Sequence, residues 1–277
     1  MTTTRAYHVL GFSFSFESDD TALVEVIDRC YRDLPAADGE LSVLRAMSMP
    51  DGSYEVTLQH PSGEIEMCEG FVSRFGIVAV IAWEVNHRAE LSRATWPVLH
   101  AAVTAGPLGA VALCGQSRSG KSTIAAAAAQ LGWRHLSDDL APIDVASLMV
   151  HPYARPIMLR SGGRGLLDEL PDMPAGHGDY FGDEWFLAAS ELGAVAETSP
   201  VPLVAIVFLE WNDAAELVPI SRAATLHALV LNSTTLGLSG EPVFRALEQL
   251  ATVVPGYRLR FAHVSEAIEL VRPLVGA

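Results

Sequence analysis

The segment GQSRSGKS at residues 115–122 constrains this chain more than any other stretch of it. It fits the pattern G-x-x-x-x-G-K-[ST], whose glycines let the backbone curl until successive N–H groups converge on phosphate oxygens. Before it lies Gly109–Cys114, a short and nearly all-apolar run of the kind that forms a buried central strand. After it, Lys121–Leu131 carries five consecutive alanines and stops at Gly132, so it reads as a helix with its C-cap. Strand, glycine loop and helix in that order predict an α/β fold with a nucleotide at the loop. Gly115, Ser117, Arg118, Ser119, Gly120, Lys121, Ser122 and Thr123 would surround its phosphates. Lys121 would reach the β- and γ-phosphates, and the Ser122 hydroxyl would coordinate Mg²⁺.

Charge sharpens this reading. Of the 18 basic residues, the only lysine is Lys121, and the formal net charge is −15. That balance argues against nucleic acid and anionic lipid as partners, since both attract an excess of positive charge. Half of the residues are hydrophobic, enough for a sizeable core. The three cysteines, Cys30, Cys68 and Cys114, form no CxxC pair, so neither a disulfide framework nor a zinc knuckle is expected. A reducing, cytoplasmic setting follows from that. The start MTTTRAYHVLG lacks the apolar core of a signal peptide, and the apolar stretch Phe75–Trp83 is too short to cross a bilayer. Oligomeric state is open, a homo-oligomer included.

Periodicity divides the chain in two. Residues 7–16 alternate as a strand, and Thr21–Leu34 has helical spacing with Leu23, Val24, Ile27 and Tyr31 on one face. Strand-like runs at Ser42–Met47, Tyr54–His60 and Glu64–Cys68 are separated by Pro-Asp-Gly and Pro-Ser-Gly turns, and Phe71–Leu91 reads as a helix. These make a small α+β domain over residues 1–96, a candidate for acceptor recognition, with a boundary near Ser92–Trp96. Residues 97–277 form the nucleotide-binding α/β domain. Its later elements are strands at Val204–Glu210 and Tyr257–His263 and helices from Pro242 and Glu266.

Asp138 and Asp139 are the next candidates. Eleven helical residues carry the chain about 16 Å from the loop. A strand over Trp133–Ser137 returns it by a similar distance at about 3.3 Å per residue. A right-handed crossover then delivers both carboxylates to the edge of the sheet where the loop lies. One could hold Mg²⁺ with Ser122 while the other accepts a hydroxyl proton. An ordinary Asp-rich turn is the competing reading.

His100, GQSRSGKS and HLSDDLAPID (135–144) together resemble HPr kinase/phosphorylase and its kinase-like relatives. The stretch from His100 to Asp139 matches without a gap, and the likeness is best over roughly residues 98–165. The strings WPVLHAA, SDDLAPI, PYARPIMLR and YRLRF are most similar to the shorter relatives, the lasso peptide kinases. The resemblance implies an HPr-kinase-like catalytic core binding ATP and Mg²⁺, and a serine hydroxyl of a peptide or protein, such as a natural-product precursor peptide, as acceptor. It implies Asp138 as the base, Asp139 as the metal-side acid, and His100 beside the reacting groups. Arg118 and Ala101 stand where the family usually has glycine, and Met158 replaces a glutamate. A kinase for a small hydroxylated metabolite, and a nucleotide-dependent regulatory protein without transferase activity, are the alternatives.

Between Asp144 and Asp168 no acidic residue occurs, yet Arg155, Arg160 and Arg164 do. Such an island could offset charge on a transferring phosphoryl group. Arg160 is the strongest of the three, followed by Arg155. His135, Glu210 and Cys114 read as structural. Tyr180, Phe181, Trp185 and Phe186 read as a packed loop, with a lid or peptide-binding surface as the alternative.

Overall fold

The computed structural model describes residues 1–167 and 170–277. The first sheet has six strands: β1 (Thr2–Thr3), β2 (Tyr7–Val9), β3 (Phe12–Ser18), β4 (Ser42–Ser48), β5 (Tyr54–Gln59) and β6 (Ile65–Val72). Their order is β1-β3-β4-β5-β6, with β2 also on β3. Alternation sets the faces: Tyr54, Val56 and Leu58 point into the core from β5, as Leu44 and Ala46 do from β4. Only β3 and β4 are parallel, and the helix α1 (Thr21–Tyr31) links them. Asp20 caps α1 by accepting the Ala22 and Leu23 N–H groups. The helix α2 (Ile77–Leu91) follows β6 and buries Ile77, Val78, Ile81, Val85 and Ala89. The apolar stretch from Phe71 is therefore not helical throughout. Its first residues finish β6, and Gly76, at φ 101°, turns the chain into the helix.

The second sheet begins with β7 (Val98–Gly106) and β8 (Gly109–Cys114), an antiparallel pair. The loop and the helix α3 (Lys121–Gln130) come next, followed by β9 (Arg134–Ser137), β10 (Leu140–Asp144) and β11 (Met149–Val150). A separate hairpin, β12 (Ile157–Arg160) and β13 (Glu184–Leu187), is joined by a segment that includes the short helix α4 (Ser161–Arg164). The sheet is completed by β14 (Val201–Trp211), β15 (Glu216–Pro219) and β16 (Gly256–Phe261), giving the order β11-β10-β7-β8-β14-β16-β15 with β9 also on β7. Between and after these strands come α5 (Arg222–Asn232), α6 (Leu236–Ser239), α7 (Glu241–Val253) and α8 (Val264–Val275).

Helices cover both faces of this sheet. From β8, Ala110, Ala112 and Cys114 join a core with residues of α5 and α7, while Val111 and Leu113 join another with α3 and α8. A strand buried on both sides needs no polar alternation, which is why GAVALC is apolar throughout. The alanines of α3 divide likewise: Ala125 and Ala128 pack toward α8, and Ala126 and Ala129 pack beneath the β12–β13 hairpin. Short side chains on two faces let the helix be enclosed. The molecule is a mixed α/β protein with several sheets.

The cores do not divide at residue 96. Tyr153, Tyr180, Phe181 and Phe186 pack into the first sheet's core with Phe14, Phe16, Leu23 and Ile27. The aromatic stretch near residue 180 is thus packed, with Tyr180, Phe181 and Phe186 almost fully buried. Among the described residues, no helix is long and apolar enough to cross a membrane.

Candidate active site

The loop after β8 has little room for side chains. A Cβ on Gly115 would lie 2.5 Å from Ser119 Oγ, and Gly120 begins α3 at φ 99°. Arg118 adopts a left-handed conformation as well, at φ 68°, in the position where the resemblance leads one to expect glycine. Lys121 is folded back into the loop, and its Nζ donates to the Gly115 and Gln116 carbonyls at 2.7 and 3.1 Å. Burial lowers the pKa of this ammonium, while Asp138 and Asp139 nearby favour its charge. The first turn of α3 adds unpaired N–H groups and the positive end of the helix dipole. The result is a compact cationic cradle.

The acidic pair reaches this cradle by a different route from a simple crossover. β9 and β10 run one after the other along the same edge of β7, both antiparallel to it. β7 lies between β9 and β8, so β9 still runs in the direction of β8. Asp138 and Asp139 interrupt the β9–β10 path opposite Ala101 and Ala102. There Ala101 N donates to Asp139 O at 3.1 Å, and Asp139 is held at φ 96°. A non-glycine residue with φ in that region is strained, and such strain clusters at functional sites. The register Leu140↔His100 then brings His100 beside Asp139.

The two carboxylates have different surroundings. Asp139 is a third exposed; its Oδ1 lies 2.7 Å from His100 Nε2 and its Oδ2 lies 2.7 Å from Arg155 Nη1. Burial alone would raise its pKa, but the Arg155 guanidinium and the His100 ring hold it well below the usual carboxylate range. Asp138 is almost fully buried. Its Oδ2 accepts the Met158 N–H at 2.9 Å, and its Oδ1 has no hydrogen-bond partner among the described residues. Burial raises the Asp138 pKa against the opposing pull of Arg155, and the Ser122 hydroxyl lies close enough to favour the ionised form.

A cleft of about 640 Å³ unites these groups, within the roughly 300–1,000 Å³ of small-molecule sites. His100, the loop from Ser117 through Thr123, Asp139 and Arg160 all line it. Gly115 lies at the base of the loop, and Asp138 lies behind Asp139, neither of them on the cleft wall. Arg160 bridges the hairpin and the loop: it pairs with Glu184 at 2.8 Å, and its Nη1 is 3.5 Å from Ser117 Oγ. Arg155 is buried on Asp139, and Arg164 stacks 3.3 Å from the centre of the Trp185 ring. The arginine island therefore splits three ways. Burial pushes the Cys114 thiol up to about 12, as suits an inert core residue.

Asn86, Asp183 and Trp211 belong to the site but were not expected from the sequence. Asp183 and Trp211 line the cleft, and Trp211 Nε1 donates to the Arg118 carbonyl at 3.1 Å. Trp211 ends the strand next to β8, so the parallel β8–β14 pairing was the signal that could have found it. Asn86 Nδ2 donates to Asp139 Oδ2 at 3.2 Å across 53 positions of sequence, and nothing local announces that contact.

No family model matches the chain, and neither does any curated protein. Among solved structures it is similar to the HPr(Ser) kinase/phosphatase from Coxiella burnetii, with 13% identity and a TM-score of 0.31, over 64% of this chain and 94% of that one. A likeness this loose assigns nothing to individual residues.

Proposed function

We propose that the protein is a phosphotransferase that moves the γ-phosphoryl group of ATP to a serine hydroxyl of a peptide or protein. One observation carries the reading: the cradle around Lys121 and the closely paired side chains of His100 and Asp139, 2.7 Å apart, open into a single cleft. The first suits a triphosphate, and the second suits proton transfer at a hydroxyl. The resemblance of residues 98–165 to HPr-kinase-like enzymes supports the peptide or protein as acceptor.

In the transfer, the serine oxygen forms a bond to the γ-phosphorus while the bond from that phosphorus to the β,γ-bridging oxygen breaks. The electron pair leaves with ADP, and the hydroxyl proton passes to a base of the site. The backbone N–H groups of the loop and Lys121 hold the phosphates, and Arg160, at the cleft wall, offsets charge on the moving group. The oxygens behind the loop fit a hard divalent cation, because Asp138 Oδ1 is buried with no partner among the described residues, and the Ser122 hydroxyl lies close to the Asp138 carboxyl. Mg²⁺ bound there supplies neutralisation of the phosphate charge.

The resemblance gives the proton to Asp138 and the metal to Asp139. The contacts favour a second reading with these roles exchanged. The oxygens of Asp139 already accept from His100, Arg155 and Asn86, whereas Asp138 keeps one oxygen without a partner among the described residues. His100 would then take the proton and Asp139 would orient its ring.

Transfer from γ-³²P-ATP, with a serine-containing peptide library and a panel of hydroxylated metabolites as acceptors, tests the function. Label on peptide is the expected result. Label on a small molecule points to a metabolite kinase, and label only in free phosphate points to a regulatory nucleotide switch. If the resemblance has the roles right, Asp138→Asn abolishes transfer and spares ATP binding. If the roles are exchanged, His100→Gln does so, and Asp138→Asn raises the Mg²⁺ concentration required.

A further inference from the structure

The helix α2 buries one face in the first sheet's core, yet Asn86 on it reaches Asp139 at the cleft wall. The orientation of its amide is determined by what surrounds it. Asp139 Oδ2, which already takes the Arg155 guanidinium at 2.7 Å, accepts from the amide nitrogen at 3.2 Å. The amide oxygen then faces Tyr153, whose hydroxyl donates to it at 2.7 Å. Tyr153 is itself fixed: its ring is almost fully buried, and its backbone N–H donates to the Leu136 carbonyl.

Asp139 thus accepts from three separate parts of the chain. Arg155 and Asn86 meet Oδ2, leaving Oδ1 for the Nε2 of His100. Arg155 by itself would fix the position of one oxygen. A second donor on that oxygen, from another direction, restricts rotation of the carboxylate and so fixes where Oδ1 points. The strained backbone of Asp139 makes such support from outside its own strand more important.

We propose that Asn86 is a positioning residue of the transfer site. From the first sheet it fixes the Asp139 carboxylate and, through it, the His100 ring. The N-terminal part of the chain, up to Ser92–Trp96, is then part of the active site rather than an appended module. The proposal rests on the phosphotransferase reading of the cleft, but it makes a geometric claim that can be measured without turnover.

Two measurements on the full chain test it. The first is release of labelled phosphate from γ-³²P-ATP, with water as the acceptor. Asn86→Ala should lower kcat on the order of tenfold and leave the KM for ATP within about twofold. In an Asp139→Asn background the same change should cost nothing further, because its effect runs through that carboxylate. An unchanged kcat, or losses that multiply in the double variant, would overturn the proposal. The second is the ¹⁵N spectrum of the His100 ring, identified by its absence in His100→Gln. The Nε2 signal should carry the mark of the carboxylate bond in the parent protein and shift in Asn86→Ala. A signal that stays in place contradicts the positioning role. If the parent protein transfers label neither to water nor to the serine-peptide library, the phosphotransferase reading falls, and the ring signal still decides the positioning claim.

Discussion

His135 illustrates how position in this fold, rather than residue type, determines chemistry. It lies in β9 only three residues before the acidic pair, but its ring is almost fully buried and Nδ1 has no partner among the described residues. Burial lowers its pKa from 6.5 to about 4. Above pH 6.5 the residue is neutral both folded and unfolded, and its full contribution to stability is present. As the pH falls from 6.5 toward 4, the unfolded chain binds a proton that the native state refuses, so stability is lost across that window. At about 1.4 kcal/mol per pH unit the loss is roughly 3 kcal/mol. Urea unfolding at pH 7 and pH 4.5 should show that decline, and His135→Gln should flatten it. An equally steep decline in the variant would mean that other groups govern the acid limb. Local pattern in the sequence singled out residues that the fold gathers at or behind the cleft: Lys121 and its loop, and the adjacent aspartates. His135 was recognisable as packing for the same reason. Asn86 was not recognisable, because its role depends on a helix docking against a strand interruption 53 positions away.

Among the elements, those with a strong period were legible and those shaped by tertiary context were not. The alternating strand β5 and the alanine-rich α3 fall close to their predicted ranges. The strand β10 escaped notice because Pro142 lies within it, and proline argues against an interior strand. The helix α1 buries residues along its whole length and is tied to its neighbours at its N-terminal cap. Its cap, Asp20, also accepts the hydroxyls of Tyr54 and Tyr180 at 2.6 and 2.8 Å, joining the helix to β5 and to the aromatic stretch. Asp20→Ala removes the cap and leaves two tyrosine hydroxyls without that acceptor, for a loss of about 2 kcal/mol or more. The midpoint of urea unfolding should fall accordingly. A change of only a few tenths of a kcal/mol would mean that the cap is dispensable.

For the whole molecule, the sequence suggested a small N-terminal unit and a larger nucleotide-binding unit. Two sheets do form on either side of Ser92–Trp96, but Tyr153, Tyr180, Phe181 and Phe186 from the second part are built into the first sheet's core. Composition and period cannot reveal such sharing, since a buried aromatic looks the same whichever core receives it. Two units with a common core should unfold together. Calorimetry should therefore record one transition, matched by circular dichroism. Two well-separated transitions would mean that the halves fold independently.

The central claim is that the lone lysine holds a nucleotide. Its ammonium is folded into a tight loop and bonded to two of the loop's carbonyls, a space that suits a compact point charge better than the broad guanidinium fork. Titration calorimetry with Mg·ATP tests this most directly. The parent protein should bind, while Lys121→Arg and Lys121→Ala should weaken binding at least tenfold with the fold intact. Equal affinity in all three proteins would contradict the account.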